Sequence, residues 1–192
     1  LENSKVIAKS SLDIFKEIYG YRTKMFTPPA IFYNPKIEPV LKKEGVELLD
    51  VGRYFKIPRL YGKDLPQFNY LGKKRKSGLK VLVRNCMYET NISEIENGVN
   101  RAMYDIEQAF KLKQPAIISN HRASFVGGIT KTNRDNGLLS LDLLFKEILK
   151  KWPDAEFITS IDYLSFFEIL KNQVGFSFLF NNPGAYMLAI VV

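Results

Sequence analysis

Short apolar segments alternate with amphipathic stretches along most of this chain, and this alternation is the feature that most limits its fold. Residues 24–29, 46–49, 79–83, 115–119 and 155–159 have the length and apolar content of strands. The stretches between several of them place apolar residues three and four positions apart, which is typical of helices. Strands that alternate with helices build βαβ units, so the pattern predicts an α/β fold with a mostly parallel sheet.

Helix boundaries follow from caps and stop signals. Two capping boxes, Ser10–Asp13 and Asn91–Glu94, predict the starts of two helices. The first of these helices is expected to end at Gly20 and the second at about Lys113. Further helices are predicted over Asn34–Leu41, Leu138–Trp152 and Ile161–Lys171, with a polar loop over Asn120–Asn136.

The chain of 192 residues fits one α/β domain, residues 1–192. Residues 52–78 hold four glycines and two prolines, which predicts an irregular insertion that includes a possible hairpin. The basic run Lys73–Lys76 near its end is expected to be a solvated loop. We therefore look for functional residues mainly in the loops that follow the strands, because ligands of parallel sheets bind there.

Composition excludes several classes of protein. The 28 Lys and Arg against 20 Asp and Glu give a net charge of +8, which attracts polyanions. No zinc-finger spacing, aromatic RNA-binding signature or basic recognition helix accompanies that charge, so no specific nucleic-acid partner is expected. The single cysteine, Cys86, excludes an internal disulfide and a Cys-rich zinc site. No apolar run reaches the length of a membrane span.

The only histidine, His121, follows the most continuous apolar strand, and Arg122 stands beside it. At the carboxyl end of a buried strand, an imidazole can transfer protons near neutral pH. The alternative is a histidine that caps a backbone carbonyl. We expect His121 to act in catalysis or to contact a ligand, with the capping role as the open alternative.

Two other sets of polar or aromatic residues follow predicted strands. Arg84 and Asn85 end the strand over 79–83, and Glu89 comes four residues later. A guanidinium and a carboxylate there can orient each other or a substrate hydroxyl, or they can form a purely structural ion pair. The first strand is followed by three residues that suit a sugar ring or the core equally, namely Pro29, Phe32 and Tyr33.

Four short stretches resemble the C-terminal half of polysaccharide deacetylase-like proteins, which belong to the glycoside hydrolase/deacetylase superfamily of β/α barrels. They are Met25–Pro29 with the following helix, Leu82–Glu89, Pro115–Arg122 and Trp152–Phe157. Their order and spacing carry most of the resemblance, which covers about residues 10–165. The resemblance implies an incomplete or distorted (β/α) barrel, of which this chain would be the C-terminal part.

The family removes acetyl groups with a divalent metal held by an Asp and two His. The resemblance implies that His121 is the catalytic acid. Arg84 and Glu89, from the neighbouring strand end, are expected to act beside it as orienting residues. Polysaccharide or oligosaccharide would be bound by Pro29, Phe32, Tyr33, Asn85 and Arg122. Zinc or another divalent metal would bind only if residues upstream supplied its ligands, because this chain does not match the family's metal triad.

Two functions are therefore expected, and both concern carbohydrate. The first is a polysaccharide deacetylase-like hydrolase, acting on N-acetylated or other polysaccharide. The alternative is a non-catalytic carbohydrate-binding module, or a degenerate barrel that lacks the metal triad. The family context implies the periplasm or the cell envelope.

Overall fold

The structure, a computed structural model, describes residues 2–29, 33–57, 63, 65–90, 95–165 and 187–191. The chain divides into two compact units, Leu1–Val83 and Arg84–Val192. The predicted cap at Asn91–Glu94 lies outside the described residues. The helix predicted over Ile161–Lys171 is described only as far as residue 165, and residues 160–165 are helical. Both units are mixed α/β, which confirms the predicted class.

The described residues of the first unit form two α-helices and five strands. In chain order they are α1 (Glu2–Tyr19), β1 (Met25–Phe26), α2 (Glu38–Lys43), β2 (Leu48–Asp50), β3 (Tyr54–Ile57), β4 (Leu65–Phe68) and β5 (Lys80–Leu82). Strands β1, β2 and β5 form a parallel sheet in that order, with Met25 opposite Leu48 and Leu49 opposite Val81. Its core is apolar and includes Leu41, Val46, Leu49, Leu79 and Val81.

Helix α1 begins at Glu2, eight residues before the predicted N-cap, Ser10. Glu2 opens the helix, so Ser10 and Ser11 lie within it. The Ser11 hydroxyl donates to the carbonyl of Ile7 at 2.8 Å, one turn back. Serine can bond within a helix in this way as well as at a cap, so the predicted N-cap at Ser10 is wrong.

The insertion over 52–78 contains the antiparallel hairpin β3–β4, in which Tyr54 lies opposite Phe68. The basic run after the hairpin is not uniformly solvated. Arg75 is 8% exposed, and its Nε lies 3.2 Å from Oε1 of Glu38 in α2. The predicted solvated loop is therefore wrong at Arg75, because an ion pair with a buried carboxylate draws its guanidinium inside.

In the part of the second unit that the structure describes, there are two long helices and four strands. They are β6 (Cys86–Met87), α3 (Ile95–Lys111), β7 (Ala116–Ser119), α4 (Lys131–Lys151), β8 (Glu156–Ile158) and β9 (Met187–Val191). A 3₁₀ helix over Arg122–Phe125 joins β7 to α4. All four strands are parallel, in the order β6, β7, β9, β8. Helices α3 and α4 supply the core with Ile106, Leu144 and Ile148.

Helix α4 begins seven residues before the predicted start at Leu138. We expected Gly137 to separate a loop from the helix, but it lies inside the helix and is buried. A β-carbon at Gly137 would stand only 2.0 Å from the carbonyl oxygen of Ser124. The glycine therefore marks a close backbone approach rather than a helix start.

The described strands form a three-stranded parallel sheet, a four-stranded parallel sheet and one hairpin, without a closed barrel. The mostly parallel pairing is as predicted. None of the helices described here is long and apolar enough to cross a membrane, in line with the sequence.

Candidate functional site

Two polar side chains meet at the carboxyl edge of the second unit's sheet. Glu89 comes two residues after the end of β6, and His121 comes two residues after the end of β7. The two strands are parallel neighbours, so both loops leave the same edge. The Nδ1 atom of His121 lies 2.6 Å from Oε1 of Glu89. We call this pair the His121–Glu89 dyad.

The dyad is open to solvent, with 74% of the His121 side chain and 45% of the Glu89 side chain exposed. When Nδ1 carries a proton, the carboxylate accepts it in a hydrogen bond, and the ring orientation is fixed. Nε2 then points away from Glu89 and has no hydrogen-bond partner among the described residues. An imidazole held in this way can take or give a proton at Nε2.

Glycines on two helices hold the loops that carry the dyad. A β-carbon at Gly98 in α3 would lie 2.4 Å from the carbonyl oxygen of Glu89 itself. On the other side, Gly137 in α4 lies against Ser124, three residues after His121, and the Ser124 amide donates to the His121 carbonyl at 2.9 Å. Any larger residue at either glycine would push a loop outward. Neither glycine was expected to hold a loop. The available signal for Gly98 was its position within the strongly periodic pattern of α3, whereas Gly137 preceded the predicted helix and gave no such signal.

Arg84 lies beside the strand that leads to His121. Its Nη1 donates to Oγ of Ser119 at 3.3 Å, and Ser119 is the last residue of β7. Arg84 is half-buried, whereas Arg122, next to the imidazole, is exposed on the 3₁₀ helix. The structure thus connects Arg84 to the strand end, and it pairs Glu89 with the histidine.

Asn85 lies at the other end of β7. Its Nδ2 donates to the Pro115 carbonyl at 3.0 Å, and its Oδ1 accepts from the Ile117 amide at 2.7 Å. These bonds satisfy backbone groups at the start of β7, while the dyad follows its end. The structure does not bring Asn85 to the dyad, and the substrate contact predicted for it has no geometric support here.

The residues of the predicted sugar-binding set after β1 differ in exposure where the structure describes them. Pro29 is exposed, Phe32 lies outside the described residues, and Tyr33 is 7% exposed. The Tyr33 hydroxyl donates to Oε1 of Glu38 at 2.6 Å and accepts from Nη2 of Arg75 at 2.7 Å. Burial, together with the bond to Glu38, raises the pKa of Tyr33 well above its ordinary value. These contacts favour a place in the core over contact with a sugar, although the substrate role stays a prediction.

The first unit has a polar pair of its own at the carboxyl edge of its sheet. Asp50 ends β2 and is 3% exposed, and the Thr27 hydroxyl just after β1 donates to its Oδ2 at 3.1 Å. Sequence analysis missed this pair. The available signal was an aspartate directly after the apolar run 46–49.

The metal implied by the resemblance does not fit the described residues. In those ranges, His, Cys, Asp and Glu side chains form no group of three or more that could hold an ion. The dyad supplies one imidazole and one carboxylate, fewer than the three protein ligands typical of a catalytic zinc site. We therefore derive no step that passes through a metal.

Comparison of the chain with protein-family models, with curated proteins and with solved structures found no match. No relative therefore indicates what the dyad does, and only its own geometry bears on its chemistry.

Proposed function

We propose that this protein is a carbohydrate-active hydrolase that removes acetyl groups from polysaccharide, with His121 as its catalytic acid. The observation that carries the proposal is the 2.6 Å contact between Nδ1 of His121 and Oε1 of Glu89 at the carboxyl edge of a parallel sheet. This edge is where α/β proteins of open sheet type bind their ligands. The substrate class comes from the resemblance to polysaccharide deacetylase-like proteins, and so does the (β/α) barrel that the proposal includes.

The acid step requires a proton on Nε2 and a fixed ring. Water adds to the acetyl carbonyl while Nε2 of His121 takes one of its protons, which places the required proton on that atom. The bond from the carbonyl carbon to the sugar nitrogen or oxygen then breaks as the leaving group takes the Nε2 proton of His121. Acetic acid departs and loses its remaining proton to solvent as acetate. Glu89 is a positioning residue, because it holds Nδ1 and so directs Nε2 outward. Arg84 is also a positioning residue, acting through Ser119.

The openness of the site suits a polymer. Since 74% of the His121 side chain is exposed, a long chain could lie across the ring without entering a deep cavity. Arg122, exposed beside the histidine, can donate hydrogen bonds to sugar hydroxyls.

A non-catalytic carbohydrate-binding module is the second candidate. It is favoured by the aromatic side chains of the β3–β4 hairpin, where Tyr54 is 78% and Phe68 51% exposed. Rings that face solvent can hold sugar without any chemistry. Release of acetate distinguishes the two candidates.

The test is acetate release from N-acetylated and O-acetylated glycans by the unaltered protein and by matched variants. His121→Ala should lower the rate by about 10²–10⁴-fold, the usual contribution of a general acid. Glu89→Gln should lower it by a smaller factor, since the imidazole remains. Glu156→Gln, which alters an exposed carboxylate in β8, is the control and should have no effect.

Circular dichroism establishes that each variant is folded. Equal rates in His121→Ala and the unaltered protein would remove the histidine from the mechanism. Glycan binding without acetate release from any substrate would overturn the hydrolase proposal and favour the binding module.

A further inference from the structure

Helix α1 has a second apolar face besides the one that it buries. Ala8 and Leu12 pack into the core of the first unit. Ile7, Ile14 and Ile18 lie on a different side of the helix and are 64%, 54% and 68% exposed. At 3.6 residues per turn, these three isoleucines lie within about 40° of one another. Large apolar side chains grouped on a surface commonly mark an interaction site.

The three isoleucines belong to a row with the spacing of a coiled coil. Successive members of the row are three, four, three and four positions apart, namely Ser4, Ile7, Ser11, Ile14 and Ile18. We call these five residues the α1 seam. All five are exposed, and the seam runs along about four turns of one helix. Because alternation of three and four positions is how helices pack side by side, the seam fits another helix.

Covering the α1 seam would bury no charge. Helix α1 carries three lysines and three acidic residues, and none of them belongs to the seam. The Ser11 hydroxyl already donates to the Ile7 carbonyl at 2.8 Å. Its donor is therefore satisfied within the helix, so its removal from water costs little.

We propose that the α1 seam binds the same seam of a second copy of this chain, with the two helices antiparallel. The register that sets Ile7 against Ile18 of the other copy also sets Ser11 against Ile14. Small and large side chains then alternate across the interface and fill it. Parallel helices in register would instead place Ser11 opposite Ser11 and leave a gap between layers of isoleucine. The inference does not depend on the proposed function, since neither dyad residue takes part.

Electrostatics favour the antiparallel pair over a lipid surface. Helices that lie on membranes are rich in Lys and Arg beside their apolar face, whereas the charges of α1 balance. The charged residue beside the C-terminal half of the seam is Glu17, which an anionic lipid surface would repel. In an antiparallel pair the two Glu17 side chains lie at opposite ends of the interface. The partial positive charge of each helix N-terminus then lies beside the partial negative charge of the other C-terminus.

The experiment is sedimentation equilibrium of the full chain over a range of protein concentrations. The seam covers about two heptads, fewer than the three or four of a long coiled coil, so we expect a dissociation constant on the order of 10–100 μM. Ile7→Lys and Ile18→Glu should each raise it at least about tenfold, because each sets a charge against an isoleucine. Val6→Lys is the matched control, since Val6 is 59% exposed on α1 but lies outside the seam, and it should associate normally.

An equimolar mixture of Ile7→Lys and Ile18→Glu tests the direction of the helices. Antiparallel packing sets the introduced ammonium of one variant against the introduced carboxylate of the other, and the second pair of isoleucines stays intact. The mixture should therefore associate about tenfold more tightly than either variant alone. In parallel packing each introduced charge would still meet an isoleucine. Circular dichroism establishes that the variants fold, as expected for substitutions at exposed positions.

Each outcome decides for or against the seam. A protein that stays monomeric at all concentrations would overturn the proposal, as would a dimer that both single variants leave intact. Dissociation by the single variants without recovery in the mixture would overturn the antiparallel arrangement. Co-sedimentation of a monomeric protein with phosphatidylserine vesicles, abolished by Ile14→Lys, would assign the seam to a lipid surface and overturn the proposal.

Discussion

Glu38 in the first unit and Glu89 in the second are both paired carboxylates, but their surroundings are opposite. Glu38 is 6% exposed and interacts with three side chains, those of Tyr33, Arg75 and Ser77. The Glu89 side chain is 45% exposed, and its one described side-chain partner is His121. The first carboxylate is built into the interior, whereas the second is presented at a surface.

The difference in burial between Glu38 and Glu89 indicates a structural role for the first carboxylate and is compatible with the chemical role proposed for the second. A buried carboxylate with a full set of donors is costly to disturb and has little freedom to meet a ligand. An exposed pair contributes little to folding, since water screens the attraction between its members. The function proposed for the exposed contact is to hold the imidazole, and its contribution to stability is expected to be small.

The same substitution at both carboxylates should separate the two roles most clearly. We expect Glu38→Gln to lower the free energy of unfolding by about 3 kcal/mol or more, because Arg75 is left as an unpaired buried charge. Glu89→Gln should lower it by less than about 1 kcal/mol, as is usual for an exposed pair. Urea denaturation followed by circular dichroism measures both.

Arg122→Gln, which removes the charge of an exposed arginine, is the control for these two variants. Its free energy of unfolding should lie within about 0.5 kcal/mol of that of the unaltered protein. If Glu89→Gln were as destabilising as Glu38→Gln, the dyad would be a structural element and the comparison would collapse.

The loops that carry the dyad depend on close helix contacts, and the next largest effect is expected there. Gly137→Ala places a methyl group where the Ser124 carbonyl stands, at 2.0 Å, so the loop or the helix must move. We expect a net loss of about 1–3 kcal/mol in the free energy of unfolding, even though alanine favours helix over glycine. Differential scanning calorimetry measures the change.

Gly128→Ala serves as the control, because a β-carbon there would meet its nearest neighbour, Cγ1 of Val126, only at 4.0 Å. A stabilising Gly137→Ala would show that helix propensity outweighs the contact, and that Gly137 does not hold the histidine loop.

An effect that is absent at neutral pH concerns Cys86, three residues before Glu89 and fully buried. Burial, with a contribution from the Asp105 charge, raises the pKa of the Cys86 thiol to about 12. The unfolded chain would release this proton near pH 9, so the free energy of unfolding should fall as the pH rises from about 9 towards 12. A thiol-reactive disulfide reagent at pH 8 should leave the native protein unmodified and react fully in denaturant, whereas rapid native reaction would contradict the burial.

Much of the fold could be predicted from local pattern. The apolar run before His121 gave β7 at Ala116–Ser119, and the strand expected over 79–83 was found at Lys80–Leu82. Continuous apolar runs of this kind fit only a strand covered on both faces. Asn34 was also placed correctly, and its side chain accepts from the Lys36 amide at the start of the predicted helix.

Two of the errors arose where a tertiary contact overrides a local signal. Gly137 resembles a helix boundary in sequence, but a carbonyl from another segment requires it inside α4. Arg75 resembles its basic neighbours, but Glu38 draws it inward. Neither partner is adjacent in the chain, so spacing alone could not identify it.

The residues of the candidate site could be predicted from the sequence, but their pairing could not, because it depends on contacts between segments that are distant in the chain. His121 and Glu89 were each singled out because they follow strands, but the expectation for Glu89 was contact with Arg84 or with a substrate hydroxyl, and its pairing with His121 was not foreseen. Which loops become neighbours depends on the order of strands in the sheet, here β6 beside β7, and that order is not encoded in any single segment. Asn85 was expected at the same edge as the dyad because it follows a predicted strand. Its side chain instead bonds to the backbone at the start of β7, the end opposite to the dyad.

Strand β9 lies between β7 and β8, although both precede it in the chain. Its pairing with β7 joins residues 116–119 to 188–191, a separation of 72 positions. Contacts this distant in sequence slow folding, because a long loop must close before they form. During synthesis on a ribosome, β7 and β8 would have to wait for the segment that joins them, so the histidine-bearing strand would gain its inner neighbour late.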